Sequence, residues 1–484
     1  MAERHQVFVA ECHDYDVARI REIVKRGMTE LGYLPRGKVF AKPNAVFAFQ
    51  PERFGCPSFT DPGLVEAALG VLAHSPGVTR VDLGEKSGMG IPTRLSYQHA
   101  GYFDAVDRVR ASVRASGRFG GRGRAGGRSD GGAPVRVRAV CMDEEPRTQV
   151  FVGGAVHDRI RLNRQMAEAD TLVYLPKLKC HCVSKMTGAV KLNIGILCDD
   201  ERAIRHDFLL DEKIADLLGP GNPDLVIMDA ITVGMGNEVV PTPRHLGLLI
   251  MARSAIAADV VAARLLGLAP AEVPYLATLF RRGLGPSSPS AIDLVGDITS
   301  WDALERAAKR LLPKDEEYYR WQDVNTELRR LESPLRLVEG PYAAHTQERC
   351  KTGCVMGLKM FLGVLELIAG AEAFAAARPQ TFVVGRAPEP IDGRGDIVWL
   401  VGSCARADIT NASEVVRIDR CFTTATDLFL TTRSRMGIDN PFYSAMFLRD
   451  FLPALLRATA TKVKTRRYAQ DLGHFVSQHL LRRV

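Results

Sequence analysis

Residues 171–197 read TLVYLPKLKCHCVSKMTGAVKLNIGIL. The first five are apolar and rich in strand formers, and a proline then ends the run. Four lysines, one histidine and two cysteines follow, in a segment whose remaining residues read as protein interior. An unpartnered ammonium is expensive to bury, so these lysines either point outward or face something anionic. Short valine-rich runs like TLVYL recur at 6–10 (QVFVA), 38–42 (KVFAK), 78–83 (VTRVDL), 135–141 (VRVRAVC) and 225–229 (LVIMD). Helical patterns lie between several of them, notably Tyr15 to Leu31, Pro62 to His74 and Leu209 to Leu218. Strands that alternate with helices predict an α/β fold, a mostly parallel Rossmann-like sheet with helices on both faces.

A chain of 484 residues, 46% apolar, is too long for one hydrophobic core. The expected division is an α/β domain over 1–285, a mainly helical connecting region over 286–378 and a smaller α/β domain over 379–484. Within the first, 116–132 (SGRFGGRGRAGGRSDGG) is nearly half glycine and has no apolar period, so it reads as a disordered Gly/Arg-rich insertion. The net charge of +8 is partly local, since nine arginines stand against one aspartate between Arg108 and Arg138. With only 7% aromatics, and none interleaved with the basic residues, the composition weighs against nucleic-acid binding except through that loop. The N-terminus has no apolar segment of secretory length and no run of 18 apolar residues occurs. A cytoplasmic protein without a membrane span is therefore expected. Ten scattered cysteines fit reduced thiols or ligands better than a disulfide framework.

Open parallel sheets place ligands at the ends of their strands. Three polar turns follow candidate strands: AKPN with Lys42 and Asn44, GEKSGMG with Gly84, Glu85, Gly88 and Gly90, and PKLKCHC with Lys177, Lys179 and His181. The glycines would bring backbone N–H groups close to an anion. Lys177, Lys179 and His181 alternate at period two and would share one face of an extended segment. Lys191 and Asn193 repeat that spacing in a tightly packed stretch, where Lys191 could be an anion clamp, a nucleophile or the partner of Asp229. The site expected from these residues binds a small anion. His181, Lys191 and Glu85 are its candidates for chemistry, while Lys42, Asn44, Gly84, Gly88, Gly90, Lys177, Lys179, Asn193 and Asp229 are its candidates for binding. His181 is the expected proton carrier because imidazole titrates near neutral pH.

Cys180 and Cys182 flank His181, but neighbours on a strand point to opposite faces, which argues against a zinc site made by this trio. Cys350, Cys354, Cys404 and Cys421 offer a second option, four thiols that could hold a metal ion or an iron–sulfur cluster. Motifs for serine or cysteine hydrolases and zinc proteases are missing.

KPNAVF, FTDPGLVEAAL, RVDLGEKSGMG, LPKLKCHCVSKMTGAVKLNIGIL, His206, LVIMDA and SAIAADVVAARLLGL occur in an order that resembles the bacterial and archaeal family called domain of unknown function 362, over roughly 38–285. The family's pattern lacks Cys180 and Cys182, and its glycine-proline after the aspartate turn is here Gly236-Asn237-Glu238. His181 and Lys191 also have the order and separation of a histidine and a cofactor-holding lysine in the nickel-pincer lactate racemases, a more distant similarity. These resemblances imply an enzyme with a Lys/His site at strand C-termini and an unknown reaction, isomerase-like or redox. The alternatives are a redox protein built on the C-terminal cysteines and a nucleic-acid-associated protein using the Arg/Gly loop.

Overall fold

A computed structural model describes residues 4–48, 58–116, 135–204, 209–236, 238–239, 241–311, 320–321, 323–340, 353–420 and 423–470. The chain forms two principal sheets. The strands of the first part are β1 (His5–Glu11), β2 (Gly37–Pro43), β3 (Val78–Glu85), β4 (Arg136–Cys141), the hairpin β5 (Arg147–Phe151) with β6 (Arg159–Asn163), β7 (Thr171–Leu175), β8 (Lys177–His181), β9 (Lys185–Thr187), β10 (Leu225–Met235), β11 (Thr242–Ala252) and β12 (Ile292–Gly296). Ten of them make one sheet in the order β12-β1-β11-β10-β7-β2-β3-β4, with β8 beside β10 and β9 beside β8. Pairing is parallel except where β11 meets β1 and β10 and where β9 meets β8.

Alternation along the strands sends side chains into two cores. Val7 and Val9 join the core under the helices Ala255–Leu265 and Pro274–Arg281. Phe8 and Ala10 join the opposite core, under Val17–Glu30, Pro62–His74 and Tyr102–Ala115. The expected α/β class, with helices on both faces of a mostly parallel sheet, is what the structure has. Asp16 and Asp61 cap the first two of those latter helices with their carboxylates, at the boundaries a capping rule would choose.

The second sheet is wholly parallel and runs β13 (Leu335–Glu339), β14 (Gln380–Arg386), β16 (Ile397–Arg406), β18 (Glu414–Ile418). A two-stranded ribbon of β15 (Ile391–Asp392) and β17 (Ile409–Thr410) lies beside it. The stretch 286–378, expected to be mainly helical, contributes a strand to each sheet: β12 to the first and β13 to the second. Each is five residues long and half-buried, too short for its alternation to stand out between helices. The helix Cys354–Ala369 packs into the second core and reaches back toward the end of β8.

Candidate functional site

Two lysines of the 171–197 stretch, Lys177 and Lys179, are buried, Lys191 is partly buried, and Lys185 is half-exposed. β7 ends at Leu175, Pro176 breaks the ladder, and β8 resumes beside β10 with Lys177 level with Asp229 and Lys179 level with Gly234. Lys177 donates to Asp229 at 2.9 Å and to the Tyr15 hydroxyl at 3.0 Å, and Tyr15 donates to the other Asp229 oxygen. Asp229 is thus taken by Lys177 rather than by Lys191, and both side chains of the pair are fully buried. Neither lines a cavity with the remaining candidates.

Two residues further on, Lys179 and His181 do. They face a cavity of about 110 Å³ together with Asn44, Glu85, Gly88, Lys191, Arg202 and Glu238, floored by Thr187, Gly188 and Gly195. Space for one water needs about 10–15 Å³, so this volume suits a small metabolite. Lys179 donates to the carbonyls of Ser58 and Glu238. Lys191 stands at the start of the 3₁₀ turn Lys191–Ile196; its side chain makes no hydrogen bond or ion pair among the described residues and faces Glu238 only at longer range. Arg202 spends its two terminal nitrogens on the carbonyls of Ser87 and Lys86. Its Nε, like Oδ1 of Asn44, is buried without a partner among the described residues.

Behind this lining Lys42 is fully buried and bonds both oxygens of Glu85 at 2.7 Å. Gly195 makes room for the pair, because a Cβ there would sit 2.4 Å from Glu85 and 2.5 Å from Lys42. Gly188 does the same for Asp259, whose carboxylate accepts from the amides of Ala189 and Val190 and from Tyr275. That anchor sets the turn from which Lys191 projects.

Charge around the cavity is unbalanced. Lys179, Lys191 and Arg202 line it against Glu85 and Glu238, and Glu85 is already neutralised by Lys42. Burial, with the cations Lys191 and Lys177 nearby, brings the Lys179 ammonium down to about 7 against the pull of Glu238. Burial likewise brings Lys191 to about 8, opposed by Glu238 and Cys182 and helped by Arg202. Burial pushes the Glu238 carboxyl up, but the His181 ring, backbone N–H groups including that of Cys182, and Lys191 hold it down more strongly, to about 2.

His181 departs from the sequence reading. Burial, helped by Lys191, Lys179 and Lys359 and opposed by Glu238, depresses it to about 3, which disfavours a proton on the ring at neutral pH and weakens the expected role as proton carrier. Its Nδ1 accepts from the amides of Val183 and Ser184, which puts the ring proton on Nε2, 3.6 Å from Glu238.

His181 and Cys182, neighbours in sequence, nonetheless reach the same side for a local reason. β8 ends at His181 and a turn follows, closed by Lys185 in the left-handed region, so His181 and Cys182 both reach Glu238. Among the described residues these three form the one group with metal-ligand spacing. The chemistry of the donor set does not fit an ion. A ligating imidazole normally donates its second N–H to an acceptor, whereas Nδ1 here is capped by two donors. The thiol is held protonated by burial and by Glu238, and three lysines, Lys179, Lys191 and Lys359, act on the group.

The three glycines do not build an anion loop. Gly84 lies inside β3, where Phe40 occupies the space a Cβ would need, Gly88 gives its N–H to Val46, and Gly90 faces a neighbouring apolar chamber. Asn193 points away from the cavity and accepts from Tyr174 at 2.6 Å. Cys354 is buried and accepts from the Thr423 amide, and Cys404 is half-buried. Cys350 and Cys421 lie outside the described residues, as do His206 and the 117–132 part of the Gly/Arg insertion. Sequence reasoning missed Arg202, Glu238, Met356 and Met360, all of which line the cavity.

Among curated proteins the chain is similar to a thylakoid-associated protein of Synechocystis sp., 32% identical over 138 residues that make up 27% of this chain. The chain spans 43% of that relative's length. Among solved structures it is similar to the lactate racemase apoprotein of Thermoanaerobacterium thermosaccharolyticum, with 10% identity and a TM-score of 0.33 over 80% of this chain and 69% of that one. Among the described residues no helix is long and apolar enough to cross a membrane. Residues 129–264, which carry β7 to β11 and the Lys179, His181, Lys191, Arg202 and Glu238 side chains, match the family described as Domain of unknown function (DUF362).

Proposed function

We propose that this chain is an enzyme that binds a small anionic metabolite against Lys179, Lys191 and Arg202 and moves a proton on it. One observation carries the reading: three cations, Lys179 and Arg202 buried and Lys191 partly so, converge on one cavity beside a single unneutralised carboxylate, and the Lys191 side chain has no bonded partner among the described residues. Charges that are costly to bury are compensated by what they bind. Lys179 is tied to the carbonyls of Ser58 and Glu238, so Lys191, at about 8 and with its side chain unbonded among the described residues, is the group placed to give or take a proton. The Cys182 amide and thiol position Glu238, and the orphaned Asn44 oxygen accepts a hydrogen bond from the ligand. A reducing compartment such as the cytoplasm suits the described cysteines, none of which forms a disulfide among the described residues.

The test uses butyrate and inorganic phosphate as probes. Each should raise the melting temperature of the wild-type protein and neither should raise that of Lys191→Ala. Incubating short carboxylates with the wild-type protein in deuterated water should exchange a carbon-bound hydrogen, and Lys191→Ala should not. Unaltered binding and exchange in that variant would remove Lys191 from the site.

A further inference from the structure

The charged cavity adjoins a second space. Five residues, Val46, Gly88, Met89, Met356 and Met360, line both it and an adjoining chamber of about 130 Å³. The chamber's walls come from the segment after β2 (Phe47), the helix Cys354–Ala369 (Val364, Ile368), the helix Ala425–Thr432 (Phe429) and the turn after it (Phe442). Thr424 and Thr426 are the only polar side chains among its described lining residues.

The chamber is a partly open apolar recess, and covering its lining with a matching apolar group would remove that surface from water. Such spaces take apolar groups. The partition between the two spaces is made largely of methionines, the side chains best able to shift around a ligand that passes between them.

We propose that the ligand is amphiphilic, its carboxylate or phosphate held in the charged cavity and an unbranched or aromatic apolar tail lodged in the chamber behind Met356 and Met360. This rests on the anion-binding reading above and adds to it the class of molecule. The juxtaposition is specific. An anion pocket alone would need no apolar annex, and an apolar pocket alone would not be placed beside Lys179 and Lys191.

The experiment titrates the full-length protein by calorimetry with straight-chain carboxylates from butyrate to decanoate, the matching alkyl phosphates and the matching alcohols, all below micelle-forming concentrations. Each added methylene should tighten binding about threefold to fourfold until the chamber is full. The alcohols should bind at least tenfold more weakly than the acids. The phosphate series set against the carboxylate series identifies the preferred head group. Val364→Phe, which adds bulk inside the chamber away from the charged residues, should flatten the chain-length series while leaving butyrate binding in place. Equal affinity for butyrate and decanoate in the wild-type protein would overturn the tail site and leave the anion reading standing. Decanol binding as tightly as decanoate would overturn the single amphiphilic ligand. No binding by any acid or phosphate would overturn both readings together.

Discussion

At the scale of single residues, the site is a set of charges that the fold has made uncomfortable. Lys179 at about 7 and Lys191 at about 8 are charged only in part at neutral pH, so an anion that binds them must also draw in protons. Butyrate keeps its charge from pH 6 to 9, so its affinity should report the lysines alone. The dissociation constant should change little below pH 7, weaken as pH rises through 7 and 8, and approach a tenfold loss per unit for each lysine that must be recharged. Calorimetry in two buffers of different ionisation enthalpy should show net proton uptake at pH 8, and a flat pH profile would contradict the role given to both residues. Lys42 and Glu85 make a different prediction. Burial lowers the Lys42 pKa while Glu85 opposes it, so Glu85→Ala leaves a buried charge without its partner. Such losses cost about 3–5 kcal/mol, whereas replacing both members by apolar residues of similar size is often neutral or stabilising. Denaturant unfolding should therefore find Glu85→Ala strongly destabilised and Lys42→Met/Glu85→Leu largely recovered.

At the scale of elements, glycines decide how close the turn after β9 comes to the sheet. Gly195→Ala would press a methyl group against the Lys42–Glu85 pair, which cannot move without losing its hydrogen bonds. Overpacking of that kind costs about 1–3 kcal/mol, and the melting temperature of the variant should drop accordingly. The sequence already shows Gly195 inside a packed stretch, but not what it packs against. The same division runs through the whole site. Strand β7, the break at Pro176 and the period-two placement of Lys179 and His181 are local patterns and can be read from 171–197 alone. Glu238 cannot, because it reaches His181 only through the pairing of β8 with β10, 57 residues later in the chain. Arg202 is indistinguishable in sequence from a solvated helix arginine, and its burial follows from two backbone carbonyls at 86 and 87. The state of the His181 ring is hidden in the sequence for a related reason. Its ordinary value holds for an exposed ring, and full burial beside three lysines is a tertiary fact.

At the scale of the molecule, the site contributes to the pH dependence of stability. An unfolded lysine titrates near 10.4, and Lys179 in the folded chain titrates near 7. Between those values the unfolded state binds more protons, so this residue makes the fold more stable as pH rises through that window. Below pH 7 both states hold the proton and the cost of burying the ammonium is fully present. Other buried groups push the opposite way: the thiols of Cys141, Cys182 and Cys198 and the hydroxyls of Tyr97 and Tyr102 are raised by burial, so they favour the folded state less as alkali removes protons from the unfolded chain. A raw melting curve would mix both trends. Lys179→Met separates them, because the thiols and hydroxyls remain in both proteins and cancel in the difference. Unfolding free energies of wild type and variant, measured in urea at pH 6.5 and pH 9, should show the wild type gaining on the variant at the higher pH. Two units inside the window correspond to an upper bound of about 3 kcal/mol, reduced by whatever coupling Lys179 keeps to Glu238 and Lys191. A difference that stays constant with pH would mean that Lys179 is folded as a fully charged ammonium.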